Sequence, residues 1–214
     1  MSKVDLKDGY WRLCVNATNA WNFAYVLPKL DKNEEIMLVI PDALQMGWSE
    51  SPAFFCAVTE TVRDVADKNF AAKKKQRCHK MEDIMMDLDV NAKRFLPTLT
   101  DDTEGIFQHL LEVYINDFIG LIQAADKDTV RRFSQCIPHA IYNAFPPLTI
   151  TGSDMGPAVS RTKLEKEGKW ETRKEILGWL INDIRRTIEL PPNKCETLCS
   201  EITLAIDYAR NSPK

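Results

Sequence analysis

Apolar residues occur in short runs at both ends of this chain and at helical spacing between them. Trp11-Arg12-Leu13-Cys14-Val15 and Phe23-Ala24-Tyr25-Val26-Leu27 are rich in aromatic and β-branched residues, which predicts two strands joined by a short helical or irregular stretch. Asp31 to Glu35 reads as a polar turn and Ile36 to Ile40 as a third strand. Connections this short favour antiparallel pairing, because a parallel crossover needs roughly a dozen residues or more. The loop from Ala43 to Ser51 is punctuated by Gly and Ser. Ser51 suits an N-cap and Pro52 the first helical position. Ala53, Phe54, Ala57, Val58, Thr61, Val62 and Val65 then recur at helical spacing, which predicts a helix over 52–70 lying against a sheet.

Composition shifts over 66–105. Lys73 to Arg77 is basic, Glu82 to Asp89 is acidic with methionines, and Asp101-Asp102 follows Thr98-Leu99-Thr100. This segment reads as an insertion: a helix running past Phe70, then a partly irregular stretch. Leu110–Tyr114 and Phe118–Ile122 predict two strands around a turn at Asn116-Asp117, a pair that tolerates positive φ. Residues 126–144 predict a helix kinked by Pro138, and 152–169 reads as loop. Ile176–Ile181 and Thr187–Leu190 predict a hairpin, followed by a last helix over about 194–210. Strands meeting in hairpins beside grouped helices predict an α+β fold.

Composition narrows the function classes. The chain has 214 residues, enough for a real core without disulfides, and no apolar run approaches the roughly 20 residues of a membrane span. The N-terminus lacks an apolar secretory core, so an intracellular location (cytoplasm or nucleus) is expected. Net charge is −3, which does not mark a nucleic-acid binder, although a local basic groove is compatible with it. The six cysteines form no CxxC, and Cys78-His79 has no second ligand pair at zinc spacing, so free thiols are expected.

Three features carry candidate chemistry, in this order: Asp5 at the start of a strand, the Gln45-Met46-Gly47-Trp48 loop opening a helix, and Asn116-Asp117 in an apolar hairpin. Two carboxylates brought together across a sheet can hold divalent metals, and a two-metal site stabilises both oxygens of a phosphoryl displacement.

In that order the motifs resemble the palm of retroelement reverse transcriptases of the LTR-retrotransposon kind. Asp5 with Tyr10 resembles the first metal motif. Gln45 to Phe55 is similar to the nucleotide-binding loop and helix, and Tyr114-Ile115-Asn116-Asp117 resembles the Tyr-x-Asp-Asp turn. Ile176-Leu177-Gly178-Trp179, continued by Leu190 to Lys194, is similar to the primer-grip hairpin. The resemblance implies an antiparallel palm-type sheet with helices on one face. It divides the chain into 1–65 (first part of the palm), 66–105 (insertion), 106–195 (rest of the palm) and 196–214 (start of a thumb-like or connecting helix).

By the same resemblance, Asp5, Asn116 and Asp117 take the catalytic positions, with Asp5 and Asp117 as metal ligands for Mg²⁺. Asp8, Tyr10, Met46 and Gly47 line the nucleotide, Tyr10 lying under the sugar. Leu177 and Gly178 hold the primer end, and one of Lys163, Lys166 and Lys169 protonates the leaving pyrophosphate. The implied partners are an RNA or DNA template–primer, dNTPs and other domains of a parent polyprotein, and no membrane.

The sequence departs from the family at three points. Asn116 stands where the family has its direct metal ligand, offering one neutral carbonyl where a carboxylate offers charge and two oxygens. A one-residue step along a strand reverses side-chain direction, which argues against simple replacement by Asp117, though a turn relaxes that rule. Met46 replaces the glutamine that usually precedes the loop glycine. Fingers, most of the thumb and RNase H segments are not in the sequence. The expectation is a truncated palm with ancestral RNA-directed DNA polymerisation and impaired activity, or a domesticated non-catalytic module that binds nucleic acid or protein.

Overall fold

The computed structural model describes residues 1–29, 31, 35–73, 75–86, 108–124, 126–147, 149–150, 153–154 and 156–211. The part of the expected insertion from 87 to 105 lies outside them.

The central sheet has three strands: β1 (Ser2–Asp5), β4 (Gln108–Tyr114) and β5 (Asp117–Gln123), in the antiparallel order β1-β5-β4. Two short antiparallel strands, β2 (Tyr25–Val26) and β3 (Leu38–Val39), pair apart from it. The long helices are α1 (Ser51–Ala71) and α3 (Lys127–Ala144), with a short α2 (Glu82–Met85) between them in sequence. After the small β6 (Thr149–Ile150) and β7 (Ser153–Asp154) comes α4 (Arg161–Glu167). A second sheet of three antiparallel strands follows, β8 (Arg173–Ile176), β9 (Trp179–Asn182) and β10 (Thr187–Glu189). The exposed helix α5 (Pro192–Asn211) comes last. Helices segregated from small antiparallel sheets make the fold α+β. No described helix is long and apolar enough to cross a membrane.

Register sorts the central sheet into two faces. Val4 stands opposite Phe118, and Phe118 opposite Val113; Ser2 and Leu111 flank Gly120. These residues share one face, and Val4, Phe118 and Leu111 bury there beside Phe133 and Ile137 of α3. Gly120 is needed at that contact: a Cβ there would lie 3.1 Å from the Trp170 ring and 3.3 Å from the Phe133 ring. Lys3, Asp5, Asp117 and Ile119 occupy the opposite face, and this alternation is what places charged groups together beside a core.

Several sequence expectations change. The Trp11–Val15 strand is instead a 3₁₀ turn over Tyr10–Arg12 and a single bridge between Cys14 and Ala43. The cause is Arg12, buried so that its guanidinium can donate to the carbonyls of Lys7, Gly156 and Pro157 at 2.7, 3.2 and 2.9 Å. Asp5 ends its strand rather than starting it. Ser51 does not cap α1; it lies inside the helix and its hydroxyl donates to the Gln45 carbonyl. The buried stripe of α1 runs Ser51, Phe55, Thr59, Val62, Ala66 and Phe70, rotated from the expected one because its partners are α3 and β4 rather than a broad sheet. The helix stops at Ala71, soon after Phe70. Pro138 does lie within α3, as expected. Within the expected loop 152–169, α4 forms because the Ser160 hydroxyl caps the Lys163 N–H and Leu164 plugs into the core. Ile176 to Ile181 is not one strand: the chain reverses at Leu177-Gly178.

The described end of the inserted segment docks on α3. Met85 is fully buried, Glu82 pairs with Arg131 at 3.4 Å, and the His79 ring lies 4.8 Å from Tyr142 and 5.1 Å from His139. The His79 Nδ1 accepts the Met81 N–H, and His139 Nε2 meets the Arg77 carbonyl at 2.6 Å. Burial, then the neighbouring His139 and Lys80, push His79 below its ordinary value against an opposing pull from Glu82. The folded chain therefore binds fewer protons here than the unfolded chain. The stability this preserves is full above about pH 6.5 and is lost as pH falls through the lower folded value. His79→Asn keeps an acceptor for Met81 and removes the titration. Urea midpoints of this variant should fall less than those of the wild type between about pH 7.5 and about pH 5; equal slopes would show that docking does not shift the titration of His79 from that in the unfolded chain.

Candidate functional site

The β4–β5 hairpin turns through Ile115 and Asn116, with Tyr114 opposite Asp117. The expected turn pair was Asn116-Asp117; the reversal falls one residue earlier and Asp117 belongs to β5. The positive φ falls on Ile115, at 56°, an unusual conformation for a β-branched residue. Turning there leaves Asn116 at the tip, where its carbonyl accepts the Leu6 N–H at 2.9 Å.

Asp5 and Asp117 stand directly opposite each other across β1 and β5. Asn116 Nδ2 donates to Asp5 Oδ2 at 3.3 Å, so all three expected catalytic positions converge. The one-residue reversal does not separate them, because Asn116 sits in the turn and Asp117 in the strand. Asp5 is 8% exposed; its Oδ1 and that of Asp117 are buried without a hydrogen-bond partner. Burial holds the Asp117 carboxyl above the ordinary carboxylate range; the adjacent Asp5 carboxylate adds to this, and the Lys3 ammonium opposes it.

Two lysines lie against the pair. Lys163 Nζ lies 3.0 Å from Asp5 Oδ2, and Lys3 Nζ lies 3.6 Å from Asp117 Oδ2 and 2.6 Å from Glu167 Oε2. Lys163, named from sequence alongside Lys166 and Lys169, is thus the one on the carboxylate. Lys3 and Glu167 were missed; alternation in β1 puts Lys3 on the face of Asp5, but only the register of β5 makes that meaningful.

The other expected residues are dispersed around this centre. Tyr10 stacks on Phe55 with ring centroids 4.5 Å apart. Gly9 lies flush against the Phe55 ring, where a Cβ would clash at 2.4 Å. Asp8 has φ of 55° and pairs weakly with Lys7 at 3.8 Å. Met46 and Gly47 lie in the loop before α1, Met46 largely exposed and Gly47 at φ 103°. Trp48 stacks on Phe54 and meets Phe23 edge-on. Among the described residues, neither Met46 nor Gly47 bonds to the carboxylate pair. Leu177 and Gly178 do share a feature with it: an open cleft of about 680 Å³ is lined by Lys3, Asp117, Glu167, Lys174, Leu177 and Gly178, among others.

Leu177 and Gly178 form the two-residue turn of the β8–β9 hairpin, at φ 50° and 84°. Consecutive positive φ values suit Asn-Gly, and a half-exposed leucine at the first of them is strained. Leu177→Asn should raise stability by about 1 kcal/mol, read as a higher urea midpoint at unchanged m-value. A lower midpoint would mean that Leu177 is held by packing rather than tolerated in spite of strain.

Chemically, the centre is two opposed carboxylates and one amide. Two buried carboxylate oxygens without partners suit one divalent cation, with Asp5 and Asp117 as ligands and the Asn116 amide beside them. The set falls short for two such ions, whose charge two carboxylates do not balance. Among the described residues, no three His, Cys, Asp or Glu side chains gather as a metal-binding group. No protein-family model matches the chain, and no curated protein matches it either.

Proposed function

We propose that the chain is a reverse-transcriptase-like palm fragment from a retrotransposon, descended from an RNA-directed DNA polymerase and impaired in that chemistry. The observation that supports this reading is the meeting of Asp5, Asn116 and Asp117 at one strand end, with Asp5 opposite Asp117 and 3.3 Å from the Asn116 amide. In this reading the β1-β5-β4 sheet is the palm sheet and α5 starts a thumb-like or connecting element. The cleft from Asp117 to Leu177-Gly178 receives the primer end. Asp5 and Asp117 would hold Mg²⁺, which when bound stabilises charge on the phosphoryl oxygens of an incoming nucleotide. Tyr10, fixed against Phe55, would orient the sugar, and Gly47 would let backbone approach the nucleotide.

Asn116 is the point of impairment. Grafted into a reverse transcriptase that supplies fingers and thumb, this palm should extend a primer poorly. Asn116→Asp should raise extension by about 10- to 100-fold, the scale of effects that accompany a damaged metal site. Unchanged extension would remove Asn116 from the metal position.

The second reading, a domesticated non-catalytic module, is favoured by the lysines paired to both carboxylates, which offset much of their charge without a metal. It predicts template–primer binding that survives chelator and weakens with salt.

A further inference from the structure

We infer that Lys163 and a divalent cation compete for the Asp5 carboxylate, so that the chain carries its own displaceable counter-ion at the hairpin site. This rests on the cation-binding reading of that site.

The two lysines at the pair are held differently. Lys3 has a side chain only 16% exposed and lies 2.6 Å from Glu167, so an acid outside the pair anchors it. Lys163 has a side chain 55% exposed, and the acid it meets is Asp5, at 3.0 Å. Its backbone is fixed, because the Ser160 hydroxyl caps its N–H and neighbouring Leu164 is buried in the core. The long stem can therefore swing into water without moving α4 or unpairing an acid anchored elsewhere.

What it would leave behind favours a cation. Asp5 is more than nine-tenths buried, with Oδ1 unpartnered beside the equally unpartnered Oδ1 of Asp117. With Lys163 in place, the three acids Asp5, Asp117 and Glu167 face two ammonium groups, a net charge of −1; with Lys163 swung out it is −2. A buried carboxylate pair does not remain uncompensated. A divalent ion compensates it with twice the charge of the ammonium, and Lys163 sets the concentration at which that exchange occurs.

The test is Mn²⁺ binding to the full 214-residue chain, followed by the loss of the free-ion paramagnetic resonance signal. Lys163→Met should bind Mn²⁺ at least about tenfold more tightly than the wild type, and Lys163→Arg should not. The gain should vanish in Asp5→Asn/Lys163→Met. Lys163→Gln serves if the methionine variant fails to melt cooperatively. Affinities within about twofold across these chains, or a gain that persists without Asp5, would overturn the competition. Failure of the underlying reading has a different signature: Asn116→Asp then gains neither Mn²⁺ binding nor primer extension, whichever residue stands at 163.

Discussion

Asn116→Asp is expected to destabilise the chain by about 2 kcal/mol in chelator and to recover that loss in millimolar Mg²⁺ or Mn²⁺. The amide donates to Asp5 Oδ2 at 3.3 Å beside two buried, unpartnered carboxylate oxygens. Aspartate removes that donor and brings a further negative charge into a site where Asp5 already helps hold the Asp117 carboxyl above its usual range. Lys163 and Lys3 already face three acids, Asp5, Asp117 and Glu167, and are too few for a fourth. A divalent cation reverses the sign of the effect, because it binds the folded arrangement and not the unfolded chain. Thermal melts with and without metal check both halves. A variant equally stable in chelator and in metal would mean that the hairpin tip does not face a cation position.

Phe133→Ala should cost about 3–5 kcal/mol, a large fraction of an ordinary domain's stability. Phe133 is fully buried where α1, α3 and the central sheet meet. Its ring lies 4.9 Å from Phe70, 5.5 Å from His109 and 5.8 Å from Trp170, and its edge packs under Gly120. Removing it opens a cavity beneath β5, the strand that carries Asp117. It also loosens Trp170, whose indole N–H donates to Ser134 at 2.6 Å. Equilibrium urea unfolding measures the loss. A cost below about 1 kcal/mol would mean that Phe70 and Trp170 close over the gap.

The elements were legible wherever a pattern is carried by residues close in sequence. Two apolar runs around a turn pair marked the hairpin of β4 and β5, helical spacing marked α1 and α3, and the Pro191-Pro192-Asn193 lead-in marked α5, the helices to within a residue or two. Asp126, read as the first helical residue, is instead the cap of α3, accepting the Thr129 N–H. The α+β class followed from those elements. Where a distant group competes, the local reading failed. Arg12 turns inward to three carbonyls, two of them beyond residue 155, and the expected strand becomes a 3₁₀ turn. Leu164 finds a pocket, and a polar stretch read as loop becomes α4.

The site divides the same way. Sequence by itself determined that Asp5 lies in or beside a strand and that Asn116 lies in the turn of an apolar hairpin, because residue types and spacing set local conformation; it misplaced Asp5 at the strand's start and Asp117 in the turn. Only the tertiary structure decided that Asp5 faces Asp117, that Asn116 reaches it from a turn one residue earlier than expected, and that Lys163 rather than Lys166 or Lys169 sits on its carboxylate. Asp5 lies 111 residues from Asn116 and 158 from Lys163, and no local pattern spans such separations. Strand register and the burial of Leu164 determine those pairings, and both are properties of the packed core rather than of any segment in it.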